Sequence, residues 1–427
     1  MNYTQNNKIS QVDNKTLVVG IDIGSDFNYA RCFDWRGIEL TKKAFCFSNT
    51  LQGYQNYHEW VMNIAQRSDK SKIMVGCEPT GHYWFTFAKH LKENDMKLVF
   101  VNPYHVKQCK ELDDNSLNKT DRKDPKTIAK LVIEGRYSIP YIPKGVYADL
   151  RELVSSRDRI VKELNAASNR IQRWLKIYFP EYLEVYKKFD SESGLMVLKH
   201  ASLPSEIIEL RAEGINKLWR EAKLRAVGIK RAKILVEAAQ NSIGIHGGEG
   251  AKIELQLLIE DYRTKKNQLD VITETLTEVV LRVDYAEKLL SIKGVGIITI
   301  AGFLSEVGDI RRFTSPKQIQ KLAGLELREN SSGKHKGQTT ISKRGRKKLR
   351  KILFQVVLPM IRSNAEFREV YDYYTKRSIN PLKGRQAMIA VSCKLIRIFY
   401  ALLTKGIDYD AKRFQRDIIR HENQKAA

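Results

Sequence analysis

"TLVVGIDIGSD", residues 16–26, places one carboxylate, Asp22, inside an otherwise apolar run of β-type residues. A charge in such a run is costly unless something pairs with it, so Asp22 is read as a functional acid rather than a turn residue. Two further strand-like runs follow across turn residues, "FNYARCFDW" (27–35) and "KKAFCFSN" (42–49), giving a three-strand meander. Next come a helical stretch over roughly 52–67, the strand "KIMVGCEPT" (72–80), a helix in "HYWFTFAKHLKEND" (82–95), the strand "KLVFVNP" (97–103) and another helix. Three antiparallel strands followed by alternating strand and helix is the order of an α/β RNase H-like domain.

Beyond residue 145 the hydrophobic period changes. Leu150, Leu153, Ile160, Leu164, Ala167, Ile171 and Trp174 keep 3-4 spacing, with Arg157 as the polar seam position. Leu255, Leu258, Tyr262, Lys265, Leu269, Ile272, Leu276 and Val279 repeat the pattern. Both predict long helices packed as a coiled coil, within the chain or between chains. The intervening "VGIKRAKILVEAAQNSIG" (227–244) reads as helical and yields no further assignment.

A third region opens with "LLSIKGVGIITIAGFLSEVGDIRRF" (289–313), an apolar helix, a Gly294–Gly296 turn and a second helix. Such a hairpin can offer backbone N–H groups to a phosphate, or serve only tight helix contact. "GRQAMIAVSCKLIRIFYALL" (384–403) is an apolar helix whose Lys394 and Arg397 argue against a membrane span. The expected organisation is an unstructured 1–15, an α/β domain over 16–145, a helical coiled-coil region over 146–285, a mostly α-helical domain over 286–405 and a tail over 406–427.

The composition narrows the partners. Lys and Arg number 74 against 49 Asp and Glu, a formal charge of +25, which draws polyanions and makes nucleic acid the default partner. The absence of a lipidation motif or signal-peptide core points away from membranes and toward a cytoplasmic protein. Five scattered cysteines without a C-x-x-C pair exclude a zinc-ribbon or disulfide framework.

Two constellations carry chemistry. The first is acidic: Asp22, Glu78 at the end of the fourth strand, and Asp121 with Asp124 in "NKTDRKDPKTIAKL" (118–131). In an RNase H-like sheet the first and fourth strands are neighbours and a later helix packs across them, so the four acids can converge. Gathered carboxylates need cations, and their hard oxygens select Mg²⁺, with Mn²⁺ as a substitute. The plainer readings stay open: Asp124 before Pro125 suits an N-cap, Asp121 can pair with Arg122 or Lys123, and Glu78 alone is an ordinary strand-end acid. If the cage reading holds, Lys119, Arg122, Lys123 and Lys126 become phosphate contacts.

The second constellation is "GLELRENSSGKHKGQTTISKRGRKKLRK" (324–351), with nine Lys or Arg and no acid from Lys334 to Lys351. That density predicts salt-sensitive phosphate contacts from Lys334, Lys336, Lys343, Arg344, Arg346, Lys347, Lys348 and Arg350. Ser331 and Ser332 precede Gly333 there; a serine hydroxyl needs activation, and Ser-Ser-Gly is also plain loop composition. His82, His105 and His335 are acid–base candidates that read more simply as surface or packing residues, and Tyr83, Trp84 and Phe85 read as core.

In their order, "VGIDIGSD", "CEPTGHYW", "NKTDRKDPKTIAKL", "SIKGVGIITIAGFLSEVGDIRRF" and "LAGLELRENSSGKHKG" resemble the IS110-family transposases over about residues 16–405. The resemblance implies a RuvC-like N-terminal domain with an Asp-Glu-Asp-Asp set at Asp22, Glu78, Asp121 and Asp124, all binding Mg²⁺. It implies a coiled-coil linker and a C-terminal transposase domain whose serine nucleophile falls on Ser332, with Ser331 as the alternative register. It further implies a recombinase that joins donor and target double-stranded DNA through a covalent serine–DNA intermediate, directed by a non-coding guide (bridge) RNA. Homo-oligomers are implied too, dimers assembling to a tetramer with acids and serine from different subunits. Glu326–Leu327 stand where the family commonly has Ala-Pro. The alternatives are a RuvC-like, metal-dependent Holliday-junction nuclease without a covalent intermediate, and a non-catalytic RNA-binding coiled-coil protein.

Overall fold

The computed structural model describes residues 5–113, 124–328, 331–332, 335–337 and 339–415, in two units, Met1–Ile142 and Pro143–Ala427. The first unit is built on a six-stranded sheet. Its strands are β1 (Thr16–Ile23), β2 (Phe27–Phe33), β3 (Phe45–Ser48), β4 (Lys72–Cys77), β5 (Lys97–Val101) and β6 (Tyr137–Ser138), in the order β3-β2-β1-β4-β5-β6. β1 runs antiparallel to β2 and parallel to β4, and β4 runs parallel to β5. Leu17, Val18, Val19 and Ile21 are wholly buried. The sheet is therefore covered on both faces, which is why β1 reads as a continuous apolar run rather than an alternating one.

Among the described residues this unit has the helices α1 (Gln5–Ile9), α2 (Leu51–Arg67), α3 (Trp84–Glu93), α4 (Pro103–Asp113) and α5 (Asp124–Ile133). The odd-numbered residues of β1 pack with Tyr54, Tyr57 and Val61 of α2 and Phe87 and Leu91 of α3. Val18 and Met74 face the other way, onto Ile128, Ala129 and Val132 of α5 and Val106 of α4. α2 starts where Thr50 accepts a hydrogen bond from the Gly53 N–H at 3.1 Å, a side-chain N-cap. The expected unstructured stretch 1–15 is corrected over residues 5–9, where α1 is tied down from both directions. Lys8 Nζ donates to the Tyr137 carbonyl at 2.6 Å and Tyr137 Oη donates to the Lys8 carbonyl at 3.1 Å.

Two glycines set the height of α5 above the sheet. Gly20 and Gly76 are register partners on β1 and β4. A Cβ at Gly20 would overlap the Pro125 carbonyl and stand 2.9 Å from the Ala129 nitrogen. One at Gly76 would meet side-chain atoms instead, a Val132 methyl at 2.5 Å, an Ile128 methyl at 3.2 Å and the Val132 Cβ at 3.8 Å.

The second unit is organised by α6 (Val146–Tyr178) and α11 (Glu249–Leu281), each of 33 residues. They pair antiparallel within the chain: Trp174 Nε1 donates to the Ala251 carbonyl at 2.9 Å, Lys265 meets Glu163 at 2.9 Å, and Leu150 and Val154 share a core with Leu276, Val279 and Val280. At one end the pair enters a head formed by α7 (Tyr182–Val185), α8 (Glu192–His200), α9 (Pro204–Glu221) and α10 (Ile229–Gln240), whose core holds Trp174, Phe179, Tyr182 and Trp219. At the other end it enters a base of α12 (Ile297–Val307), α13 (Pro316–Leu322), α14 (Lys347–Ser363), α15 (Ala365–Lys376) and α16 (Gly384–Lys405), centred on Phe303, Phe367 and Phe399. Between the two cores the pairing thins: Ile160 is the buried residue of 155–166, and none of 263–275 is buried.

In the base, the segment before the Gly294–Gly296 turn is a 3₁₀ run, Ala286–Ser291, where an α-helix was expected. α16 is long and apolar enough to cross a membrane by composition, but half of that window is buried inside the protein. Lys394, 6% exposed, lies over the rings of Phe414 and Tyr374, at 5.2 and 6.0 Å. Of the expected tail, residues 411–415 are helical and 416–427 lie outside the described residues.

The glycine floor is open to measurement. Gly20→Ala is expected to cost about 3 kcal/mol in urea unfolding, because backbone must move, whereas Gly76→Ala should cost about 1 kcal/mol, since side-chain methyls can yield. Equal urea midpoints for the two variants would remove this account of how α5 is seated.

Candidate carboxylate site and nucleic-acid interface

The parallel pairing of β1 and β4 runs to Ile21 opposite Cys77. Asp22 and Glu78 each follow by one residue, so they stand side by side at the C-terminal ends of these strands. Both are half-buried. By strand alternation Asp22 shares a face with Gly20, and Glu78 with Gly76, the face that α5 covers. α5 begins at Asp124, and Pro125 behind it is buried against Gly20. Asp22 and Glu78 thus end two neighbouring strands, and Asp124 immediately precedes the Pro125 that covers Gly20 two residues before Asp22. Asn49 Nδ2 steadies the loop after β1 by donating to the Gly24 and Ser25 carbonyls at 2.9 and 2.8 Å.

The donor chemistry of this corner is oxygen. Cys77 alternates to the opposite face, where burial, and then the neighbouring Glu78 charge, push its thiol well above the usual range. Among the described residues no three His, Cys, Asp or Glu side chains stand close enough to hold one ion. Asp121, with Lys119, Arg122 and Lys123, lies outside the described residues, while Lys126 is exposed on α5. Oxygen donors of this kind fit Mg²⁺ or Mn²⁺ and not a thiophilic metal.

The aromatic stretch after Glu78 departs from expectation. Tyr83 is 38% and Phe85 50% exposed, while Trp84 is half-buried with its ring edge-on to Phe100 at 4.7 Å. The reason is helical phase: α3 starts at Trp84 and turns Phe87, Ala88 and Leu91 inward, which leaves Phe85 outside. His82 and His105 are exposed.

In the second unit the chain around the serines forms two nested ladders. β7 (Leu327–Arg328) pairs antiparallel with β10 (Thr340–Ile341), and inside them β8 (Ser331–Ser332) pairs with β9 (His335–Lys336). Ser332 is opposite His335 in register, a relation invisible in their spacing of three. Lys334 lies outside the described residues, and for Lys336 the backbone alone is described.

The remaining cations divide by role. Lys343, Arg344 and Lys347 are exposed. Arg346 reaches Glu306 at 3.3 Å, and Arg350 donates to the Ala323 and Lys343 carbonyls at 2.9 and 3.3 Å. Arg350 therefore ties the serine segment to α13, a structural task the charge pattern did not reveal.

A cleft of about 610 Å³ opens beside these residues, lined among others by Gly294, Thr299, Lys347, Lys348, Lys351 and Arg157. Lys348 is held by Asp158 at 2.7 Å. The Nε of Arg157 is buried without a hydrogen-bond partner among the described residues. The polar position in the α6 seam is thereby explained: it faces a cationic cleft, and its break in the apolar period was the available signal. The turn glycines differ in kind. Gly294, at φ +100°, packs on Met360, where a Cβ would stand 2.8 Å from Cγ; around Gly296 there is open space. Gly294 serves helix contact, and Gly296 leaves room for approach.

The comparisons with known proteins converge. A family model of IS110 DEDD transposases matches residues 19–180, and one of the IS116/IS110/IS902 transposase family matches residues 286–372. The chain is 24% identical over 395 residues to the transposase for insertion sequence element IS1111A of Coxiella burnetii, covering 92% of this chain and 91% of that one. It is 32% identical over 398 residues to the pilin gene-inverting protein of Moraxella bovis, covering 92% and 98%, and 31% identical over 398 residues to that of Moraxella lacunata. Two matched segments in family order, together with relatives spanning nearly its whole length, establish that the chain belongs to the IS110 family of insertion-sequence transposases.

Proposed function

We propose that this transposase cuts and rejoins DNA with two sets of groups, the carboxylates Asp22, Glu78, Asp121 and Asp124 of an RNase H-like, RuvC-like domain and the hydroxyl of Ser332. The observation that carries it is the β1–β4 register, in which Asp22 and Glu78 each follow by one residue the paired Ile21 and Cys77, two residues beyond the glycines that α5 covers. The strand order β3-β2-β1-β4-β5 supports the RuvC-like reading. A bound Mg²⁺, or Mn²⁺ in its place, would neutralise charge at the phosphate and at the oxygen that leaves it.

The protein's own groups do the rest. The Ser332 oxygen bonds to phosphorus as a deoxyribose oxygen departs and takes up a proton, so a phosphodiester is exchanged for a phosphoserine link. The hydroxyl of another DNA end then reverses the exchange and frees the serine. Lys343, Arg344 and Lys347 neutralise phosphate charge around the serine segment, and the cleft with Lys347, Lys351 and Arg157 takes the duplex backbone. Ser331 is the alternative nucleophile. A guide RNA that pairs with donor and target, the α6–α11 pair acting as a coiled coil, and a tetramer that joins acids and serine from different subunits complete the reading.

The purified protein, its non-coding RNA, Mg²⁺ and donor and target duplexes should yield a protein–DNA adduct on denaturing gels. Ser332→Ala and Asp22→Asn should each abolish it, as should chelation of the metal. Cleavage that persists in Ser332→Ala without any adduct would instead identify a nuclease using activated water. A separate binding measurement addresses the cleft: Arg157→Glu combined with Lys351→Glu should weaken duplex affinity about tenfold or more and flatten its salt dependence.

A further inference from the structure

The head contains a turn built like the one beside the cleft. "AVGI" (226–229) and "GVGI" (294–297) each open an α-helix, α10 and α12. In both, a left-handed residue stands two positions before a glycine N-cap: Ala226 at φ +63° and Gly294 at φ +100°. The caps, Gly228 and Gly296, have extended backbone with ψ of −173° and 170°. Ala226 holds this conformation although it disfavours any residue with a Cβ.

The surroundings of the head turn are cationic. From Lys217 to Lys233 the chain carries seven Lys or Arg and one acid, Glu221, which meets Lys217 at 3.9 Å. Lys223, Arg225, Lys230 and Lys233 are exposed. Arg220 braces the turn by donating to the Val227 carbonyl at 2.5 Å. Arg231 donates to the Val185 carbonyl at 2.8 Å and lies over the Tyr186 ring at 4.7 Å, its Nε buried without a partner among the described residues. A concavity of about 830 Å³ opens here, lined by Arg220, Gly228, Lys230 and Arg231, with Glu184 as its acidic wall. Ile229 and Ile234, 38% and 53% exposed, flank the cations.

We infer that this face of the head is a second duplex-DNA grip, holding the phosphate backbone without reading bases. The charge density suits a polyanion rather than a protein partner, and the turn at Gly228, where a Cβ would meet the Arg220 guanidinium at 3.2 Å, lets a phosphate come close to N–H groups, Arg220 and the lysines together. Family membership favours DNA as that polyanion, and the assignment is independent of the chemistry proposed for the acids and Ser332. The grip stands at the opposite end of the α6–α11 pair from the cleft, so one chain would hold duplex at two separated places.

The test uses the full chain and a fluorescent mixed-sequence DNA duplex of about 30 base pairs, titrated at several salt concentrations. Arg225→Glu/Lys230→Glu/Lys233→Glu should weaken binding tenfold or more and lower the salt slope by about 2 to 3. Gly228→Val leaves the charge unchanged and suits the extended φ of −171°, its Cβ standing 3.2 Å from the Arg220 guanidinium; it should weaken binding several-fold by filling the space at the turn and displacing Arg220. Thermal melts check that each variant is folded. Unchanged duplex affinity in the folded triple variant, or in Gly228→Val, would overturn the assignment. So would a loss confined to an RNA hairpin of equal length, which would make the face an RNA surface.

Discussion

The antiparallel pairing of α6 with α11 is the contact on which the second unit depends. Neither helix has a complete core of its own; each contributes one stripe, and the two stripes close at both ends into larger clusters. Trp174 marks the head end, where its indole is buried and its N–H reaches the first turn of α11, while Leu150, Val154 and Leu276 mark the base end. The middle keeps mostly half-buried contacts and the Lys265–Glu163 ion pair, which is exposed enough to add little. Stability therefore concentrates at the two ends.

In the first unit an absence of side chains performs the analogous task. Gly20 and Gly76 make a depression across two adjacent strands, and α5 settles into it with Pro125 and Ala129 over one strand and Ile128 and Val132 over the other. Two residues further along each strand come the acids. The spacing of two links the depression to the carboxylates: the alternation that lowers the helix onto the glycines turns Asp22 and Glu78 toward the same face. An insertion of one residue in β1 would uncouple them.

Much of this was legible in the chain. The strands were readable because β1 is an unbroken apolar run and turn residues separate its neighbours, and the two long helices were readable from their period. Asp22 stood out for being a charge where none should be. Other features needed three dimensions. Tyr83 and Phe85 read as core because aromatic residues favour burial, yet the phase of α3 leaves them outside. Arg157 read only as the polar position of a seam until the cleft gave it a face, and the charge pattern that marked Arg350 for phosphate did not show the two carbonyls it holds. The cross-strand relation of Ser332 and His335 is a pairing register that no spacing rule supplies.

The antiparallel course of the long helices has a topological consequence. The chain departs from the base along α6 and returns to it along α11, so its two passages between base and head run beside each other. Everything from Ala167 to Tyr262 is thus an excursion with adjacent ends and a core of its own. Such an excursion can grow, shrink or be exchanged while the base keeps its connectivity, because the loop-closure entropy changes only slowly with length. The head is the part of this architecture freest to diverge in size from one relative to another.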